Sequence, residues 1–253
     1  MCESECGRNG SWSIASGGYS FRMQKLRDFL IILLATACSA GTSTIRQPGA
    51  GAAPAINTVE TAVAPDAVAD TLLTDVQLLE PTIVVELRYA TANNFTGAPL
   101  PGYLANRAFL RREAAAALAR VERDLRPHGL GLKVFDAYRP VRATVAMVDW
   151  TERVHRTDLL RDGYIASRSR HNLGLAIDLT LIDLASGREL EMGTPFDTFS
   201  AAAHTANATG LAAVNRQKLK SAMEAQGFLN YDQEWWHYSF NVANPLRFDR
   251  PIR

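Results

Sequence analysis

A carboxylate placed inside a long apolar stretch limits what this chain can become. Leu175-Ala176-Ile177-Asp178-Leu179-Thr180-Leu181-Ile182-Asp183-Leu184 reads as a buried strand, closed by a turn at Ala185-Ser186-Gly187. Strand alternation sets Ala176, Asp178 and Thr180 on one face and Leu175, Ile177 and Leu179 on the other. Asp178 can then point into a cleft while its neighbours enter the core. A carboxylate buried at that position is costly unless it is paired or bound to a metal.

The residues around the strand supply partners. His171 precedes it, with Gly174 as a bend that can fold the imidazole back toward Asp178. Far downstream, Glu234-Trp235-Trp236-His237 brings a second histidine with a carboxylate three residues ahead of it. His171, Asp178 and His237 make a three-ligand zinc set with a fourth position open, the catalytic rather than the structural pattern. Glu234 is left free to act as a base. In a straight strand Glu234 and His237 face opposite sides, so the chain must bend near Trp235 or hold Glu234 on a loop just before the strand. Trp235 and Trp236 read as a packed, water-poor wall, or alternatively as a sugar-stacking surface. His128, His155 and His204 lie in a helix-ending Pro-His-Gly, on a charged helix face and in an Ala-rich loop, and read as ordinary polar side chains.

Composition narrows the chemistry. Cys2, Cys6 and Cys38 are the three cysteines, so nothing beyond Cys38 can supply a thiolate nucleophile or ligand. Any metal in the body of the chain is therefore held by His, Asp or Glu. Lys+Arg number 27 against Asp+Glu 26, for a net charge of +1, which leaves no electrostatic footprint for nucleic acid.

The N-terminal third reads differently from the rest. Residues 1–22 are polar and aperiodic. From Met23, a plausible true start, Lys25 and Arg27 precede Phe29-Leu30-Ile31-Ile32-Leu33-Leu34 and then Ala35-Thr36-Ala37-Cys38. This is the pattern of an export signal, too short to span a bilayer, which takes roughly 20 residues. Cys38 after Ala35-Thr36-Ala37 resembles a bacterial lipid-attachment site, although Ala35 stands where Leu is usual; ordinary cleavage after the A-x-A is the other reading. The expectation is an exported protein on the periplasmic face of the bacterial envelope, with a possible membrane tether through a lipidated Cys38. Residues 39–70, rich in Ala, Thr, Pro, Gly and Val, read as a flexible linker, and residues 71–253 as one catalytic domain.

Within that domain, strands are expected over Thr82–Tyr89, Leu130–Phe135 and Phe228–Phe240, with helices over Arg107–Arg126, Val141–Leu160 and Asn215–Gln226. Helices and strands mix without a βαβ rhythm. The fold class is therefore α+β, a single compact domain with a central, mainly antiparallel sheet flanked by helices and the zinc site in a cleft. In Phe135-Asp136-Ala137-Tyr138-Arg139-Pro140, Pro140 drives Arg139 toward an extended conformation at a strand end. A guanidinium held there can stabilise an oxyanion; a surface Arg in a turn is the plainer reading of that hexamer.

From about Leu79 onward the chain resembles the zinc-dependent D-alanyl-D-alanine dipeptidases of the vancomycin-resistance type, within the wider group of peptidoglycan D,D-peptidases. Ser169, His171, Gly174, Ala176 and Asp178 match the group's S-x-H-x-x-G-x-A-x-D, and Glu234 to His237 its E-W-W-H. Arg88 to Gly97, Asp136 to Pro140 and Met192 to Asp197 match the narrower dipeptidase class. The resemblance implies one Zn²⁺ per chain on His171, Asp178 and His237, Glu234 as general base and Arg139 at the oxyanion. It further implies Asp197 on the substrate ammonium, with Tyr89 and Ser169 positioning a small D-dipeptide; Tyr89 can equally be core packing. The alternatives are a D,D-carboxypeptidase acting on longer peptidoglycan stems, and a non-catalytic zinc-stabilised wall-binding module.

Overall fold

The computed structural model describes residues 62–253. The expected export signal, Cys38 and the expected linker up to residue 61 lie outside the described residues. The linker's last part does not: Val63–Ala64 (β1) pairs in parallel with Arg247–Phe248, and Asp66–Leu72 forms a helix (α1) that buries Ala69. The domain boundary expected at residue 70 therefore falls inside a helix. Small residues that could not build a core alone dock here onto one made by the rest of the chain.

After α1 come Leu73–Asp75 (β2), Val76–Leu79 (α2), Val84–Val85 (β3), Phe109–Arg111 (β4) and Arg112–Leu125 (α3). The helix expected from Arg107 starts later because Phe109–Arg111 pair antiparallel with Leu73–Asp75. Only Val84–Val85 of the expected first strand joins a ladder. Beyond it the chain curls into a 3₁₀ turn at Arg88–Ala90, with the Leu87 amide donating to Asn106 Oδ1 at 2.7 Å. α3 buries Ala114, Ala117, Leu118, Val121 and Leu125, together with Glu122. Glu122 accepts from the Leu132 amide at 2.7 Å and from Thr82 Oγ1 at 3.0 Å, which ties the helix to the sheet.

Leu130–Asp136 (β5) is followed by Val141–Arg153 (α4) and Asp158–Arg161 (α5). The single helix expected there is interrupted at His155, which lies in the left-handed region at φ 58°. Ala176–Asp183 (β6) is buried along almost its whole length. Then come Gly210–Ala225 (α6), Leu229–Tyr231 (β7), Glu234–Ser239 (β8) and Arg247–Phe248 (β9). The main sheet has the order β3-β5-β6-β8-β7; β3 pairs parallel with β5 and every other neighbour is antiparallel. The fold is α+β, with β6 at the sheet's centre.

Gly174 makes the turn into β6 possible. It sits at φ 64°, and a Cβ there would lie 2.5 Å from Leu73 Cδ2 and 3.1 Å from the Arg111 amide nitrogen. Its carbonyl accepts from that same amide at 2.8 Å. Both backbone conformation and close approach demand glycine.

Candidate active site

The centre is assembled by cross-strand register. Asp136 on β5, Asp178 on β6 and His237 on β8 lie opposite one another in adjacent strands. The third candidate, His171, stands on a 3₁₀ turn at Arg170–Leu173 whose N-cap, Ser169, accepts from the His171 amide at 3.2 Å. That turn and the Gly174 bend return His171 to the start of β6. His171 Nε2 is 3.2 Å from His237 Nδ1 and 3.4 Å from Asp178 Oδ2, and His237 Nδ1 is 2.9 Å from Asp178 Oδ1.

Protonation decides what such a cluster can hold. His171 Nδ1 is 2.6 Å from the carbonyl of Ala137, which can only accept, so the ring proton is on Nδ1. That leaves Nε2 as the ring atom facing a carboxylate and a second imidazole, and in the neutral ring it presents a lone pair to a cation placed between them. One ligand atom from each of His171, Asp178 and His237 can be chosen with all three within 4.8 Å of one another. Two imidazoles and a carboxylate, one imidazole oriented through its far nitrogen, fit zinc. Burial works against charge on Asp178, but His171 and then His237 outweigh it and hold the carboxyl below the usual range. Burial likewise pushes His237 below the ordinary histidine value and favours the neutral, ligating form.

Glu234 opens β8 and is 8% exposed, with Oε2 3.8 Å from His237 Nδ1. The two share a side because the β7–β8 register slips: Asn230 pairs with Tyr238, but Tyr231 pairs with Glu234. Asn230 Nδ2 donates to the carbonyls of both Glu234 and His237, at 3.2 and 3.1 Å, and so spans the irregularity. Burial first, then the nearby charges of Asp178 and Asp197, push the Glu234 carboxyl well above the usual range; Arg139 offsets part of this. A carboxylate raised in this way is a stronger proton acceptor, once ionised, than an ordinary one.

Arg139 is held more firmly than Pro140 alone would hold it. Its Nε and Nη2 donate to Asp136 Oδ2 at 2.9 and 2.7 Å, and its amide donates to the His171 carbonyl at 3.1 Å. Nη2 also lies 3.8 Å from Asp178 Oδ2, and the guanidinium stacks 5.0 Å from the Tyr89 ring centroid. Burial opposes its charge, but Asp136, then Tyr89, Tyr103 and Asp178, more than compensate and keep it protonated. The surface-turn reading of this residue is overturned.

Tyr89 lines the opposite side of the site, with Asp197 against its hydroxyl. Tyr89 is buried against Phe95, Tyr103 and Phe196, and its hydroxyl donates to Asp197 at 3.0 Å. It is thus both core and cleft. Asp197 takes a left-handed backbone, φ 60°, to present its carboxylate. Burial and the charge of Asp178 raise its carboxyl well above the usual range. The cleft has a volume of about 380 Å³ and is lined among others by Tyr89, Arg139, Ser169, His171, Glu234 and His237.

Residues 69–252 match the family described as Peptidase_M15, D-ala-D-ala dipeptidase. The chain belongs to this dipeptidase family. The D-alanyl-D-alanine dipeptidase of Enterococcus faecium is 38% identical over 169 residues, covering 60% of this chain and 83% of the relative. That of Streptomyces coelicolor is 36% identical over 184 residues, covering 66% and 91%. Among solved structures, the vancomycin resistance D,D-dipeptidase VanXYg, in complex with a D-Ala-D-Ala phosphinate analogue, is 19% identical with a TM-score of 0.37, covering 56% of this chain and 54% of that one.

The dipeptidase's two tryptophans are wall, not platform. Trp235 and Trp236 are 2% and 1% exposed and meet edge-on at 5.3 Å, so neither offers a face for sugar stacking. Trp235 Nε1 donates to Thr194 Oγ1, and Trp236 packs on Phe196, which steadies the segment carrying Asp197. His128 and His155 are exposed and lie apart from the centre, while His204 Nε2 contacts the Tyr164 hydroxyl at 3.0 Å. Sequence reasoning passed over Asp136. This fully buried carboxylate accepts from Arg139 and, on its other oxygen, from Tyr103 at 2.6 Å, and lies 3.4 Å from His171 Nδ1. Its position three residues before Arg139 was visible; the cross-strand pairing with Asp178 was not.

Proposed function

We propose that the protein hydrolyses D-Ala-D-Ala, or a closely related D-dipeptide, with one zinc ion per chain on His171, Asp178 and His237. The observation that carries the reading is Glu234, a buried carboxylate raised by its surroundings, in the same cleft as two imidazoles and a carboxylate whose ligand atoms converge. When bound there, zinc supplies Lewis acidity toward a carbonyl oxygen and toward water. Glu234 accepts a proton from the attacking water and returns it to the leaving nitrogen. Arg139, with Nε and Nη2 clamped by Asp136, donates to the oxyanion that develops at the scissile carbonyl. Because that guanidinium is already oriented, little reorganisation accompanies the step.

Asp197, supported by the Tyr89 hydroxyl, receives the substrate ammonium; the incoming cation also relieves the repulsion among Asp197, Asp178 and Glu234. Ser169 positions the dipeptide from the turn that carries His171. What supports a dipeptide over a longer stem is Asp197, a carboxylate that suits a free amine and leaves an acylated one unmatched. Comparing turnover of D-Ala-D-Ala with that of an N-acylated pentapeptide ending in D-Ala-D-Ala tests this, and preference for the acylated peptide would make the enzyme a D,D-carboxypeptidase. A protein that binds zinc but cleaves neither is a wall-binding module.

The basic–apolar–small pattern from Lys25 to Cys38 supports export to the periplasmic face of the envelope, with Cys38 as a lipid attachment point. There the enzyme scavenges cell-wall fragments rather than depleting a cytoplasmic precursor. Labelling with a fatty-acid probe, lost in Cys38→Ala, tests the tether.

A further inference from the structure

The zwitterionic substrate of the proposed reaction has two charged ends, and the roles assigned so far match only one. Its ammonium has Asp197. Its carboxylate lies one residue beyond the scissile bond, toward the other end of the cleft, and needs a cation. Arg139 is already engaged by Asp136, and Arg170 donates to the Phe240 carbonyl and Asn241. Lining the cleft beside Ser169 is a third guanidinium, Arg168, exposed to solvent. Among the described residues it makes no hydrogen bond or ion pair. Arg88, Arg142, Arg156 and Arg161, by contrast, each meet a carboxylate.

The backbone that carries Arg168 is anchored on both sides. Downstream, Ser169 caps the turn that places His171. Upstream, Ile165 is buried, and its amide donates to the Leu159 carbonyl at 3.0 Å. Arg168 therefore has a definite origin, three residues from His171, and a side chain with nothing else to bind. A planar fork of donors suits a carboxylate better than a single ammonium would.

We infer that Arg168 binds the C-terminal carboxylate of the dipeptide and selects for a free acid at that end. The inference rests on the dipeptidase reading above. Its experiment compares D-Ala-D-Ala with its C-terminal amide, in the zinc-loaded full chain and in the Arg168→Gln and Arg168→Lys variants. In the parent the acid is the better substrate by kcat/KM, and its KM rises with ionic strength. In Arg168→Gln the KM for the acid rises about tenfold, the loss expected for one charge-assisted hydrogen bond. The amide's kcat/KM changes less than about twofold, and the salt dependence of the KM for the acid weakens to that of the amide. Arg168→Lys keeps a preference for the acid. An unchanged acid-to-amide ratio in Arg168→Gln overturns the assignment, as does an equal loss on both substrates. A parent that cleaves neither substrate refutes the dipeptidase reading itself.

Discussion

Asp136→Asn tests whether the oxyanion cation depends on a partner that never touches substrate. The carboxylate is fully buried and accepts two guanidinium bonds at 2.9 and 2.7 Å, plus the Tyr103 hydroxyl at 2.6 Å. Asparagine keeps the shape but removes the charge, and it either turns an NH₂ toward Arg139 or leaves Tyr103 without its acceptor. Arg139, 8% exposed, then becomes a buried cation whose remaining ion-pair partner among the described residues is Asp178 at 3.8 Å. Breaking a buried pair from one side costs about 3–5 kcal/mol. Some of that is recovered if Arg139 swings toward solvent, so a stability loss of about 2–4 kcal/mol is expected in urea titration. That same swing removes the oxyanion donor, and kcat falls about 10²–10³-fold with zinc content retained. A loss below about 1 kcal/mol together with near-parental kcat would refute the reasoning, since Asp136 would then be neither pairing nor positioning Arg139.

Other substitutions probe separate parts of the account. Glu234→Gln lowers kcat by about 10²–10⁴-fold while zinc binding persists, measured by turnover and metal content. In the metal-free protein, burial and the charges of Asp178 and Asp197 raise the Glu234 carboxyl. The same raised value gives stability that is full below the unfolded pKa and lost as pH rises through the folded one. Chelator-treated Glu234→Gln is therefore more stable than chelator-treated parent at neutral and alkaline pH, and that gain vanishes at acidic pH. Asp197→Asn raises KM for D-Ala-D-Ala with little change in zinc content. Gly174→Ala destabilises by about 1–3 kcal/mol, because φ is 64° and the new Cβ would lie 2.5 Å from Leu73 Cδ2. A thermal shift within 1 °C of the parent would contradict that.

What the sequence revealed follows from how local the signals are. Asp178 was legible because a charged residue in an apolar strand violates the ordinary cost of burial, and strand period sets which way it points. His171 was legible through the glycine between them. The problem of Glu234 and His237 facing opposite ways was also legible, but its solution, a register slip held by Asn230, depends on a strand pairing that no local pattern announces. The same limit explains the late start of α3, where Phe109–Arg111 gave up helix for pairing with Leu73–Asp75. It also explains the linker's end, because Val63–Ala64 become a strand only against Arg247–Phe248 at the other end of the chain. Asp136 shows the limit most directly: its neighbours in space come from β6, the His171 turn and Tyr103, and only the folded sheet brings them together.

The central claim is that His171, Asp178 and His237 jointly hold one zinc ion on which Glu234 and Arg139 depend for hydrolysis. Titrating zinc back into chelator-treated protein while following D-Ala-D-Ala turnover tests it most directly. The account predicts no turnover before addition and a linear rise that saturates at one equivalent. Full turnover in the chelated protein, or saturation far from one equivalent, would contradict it.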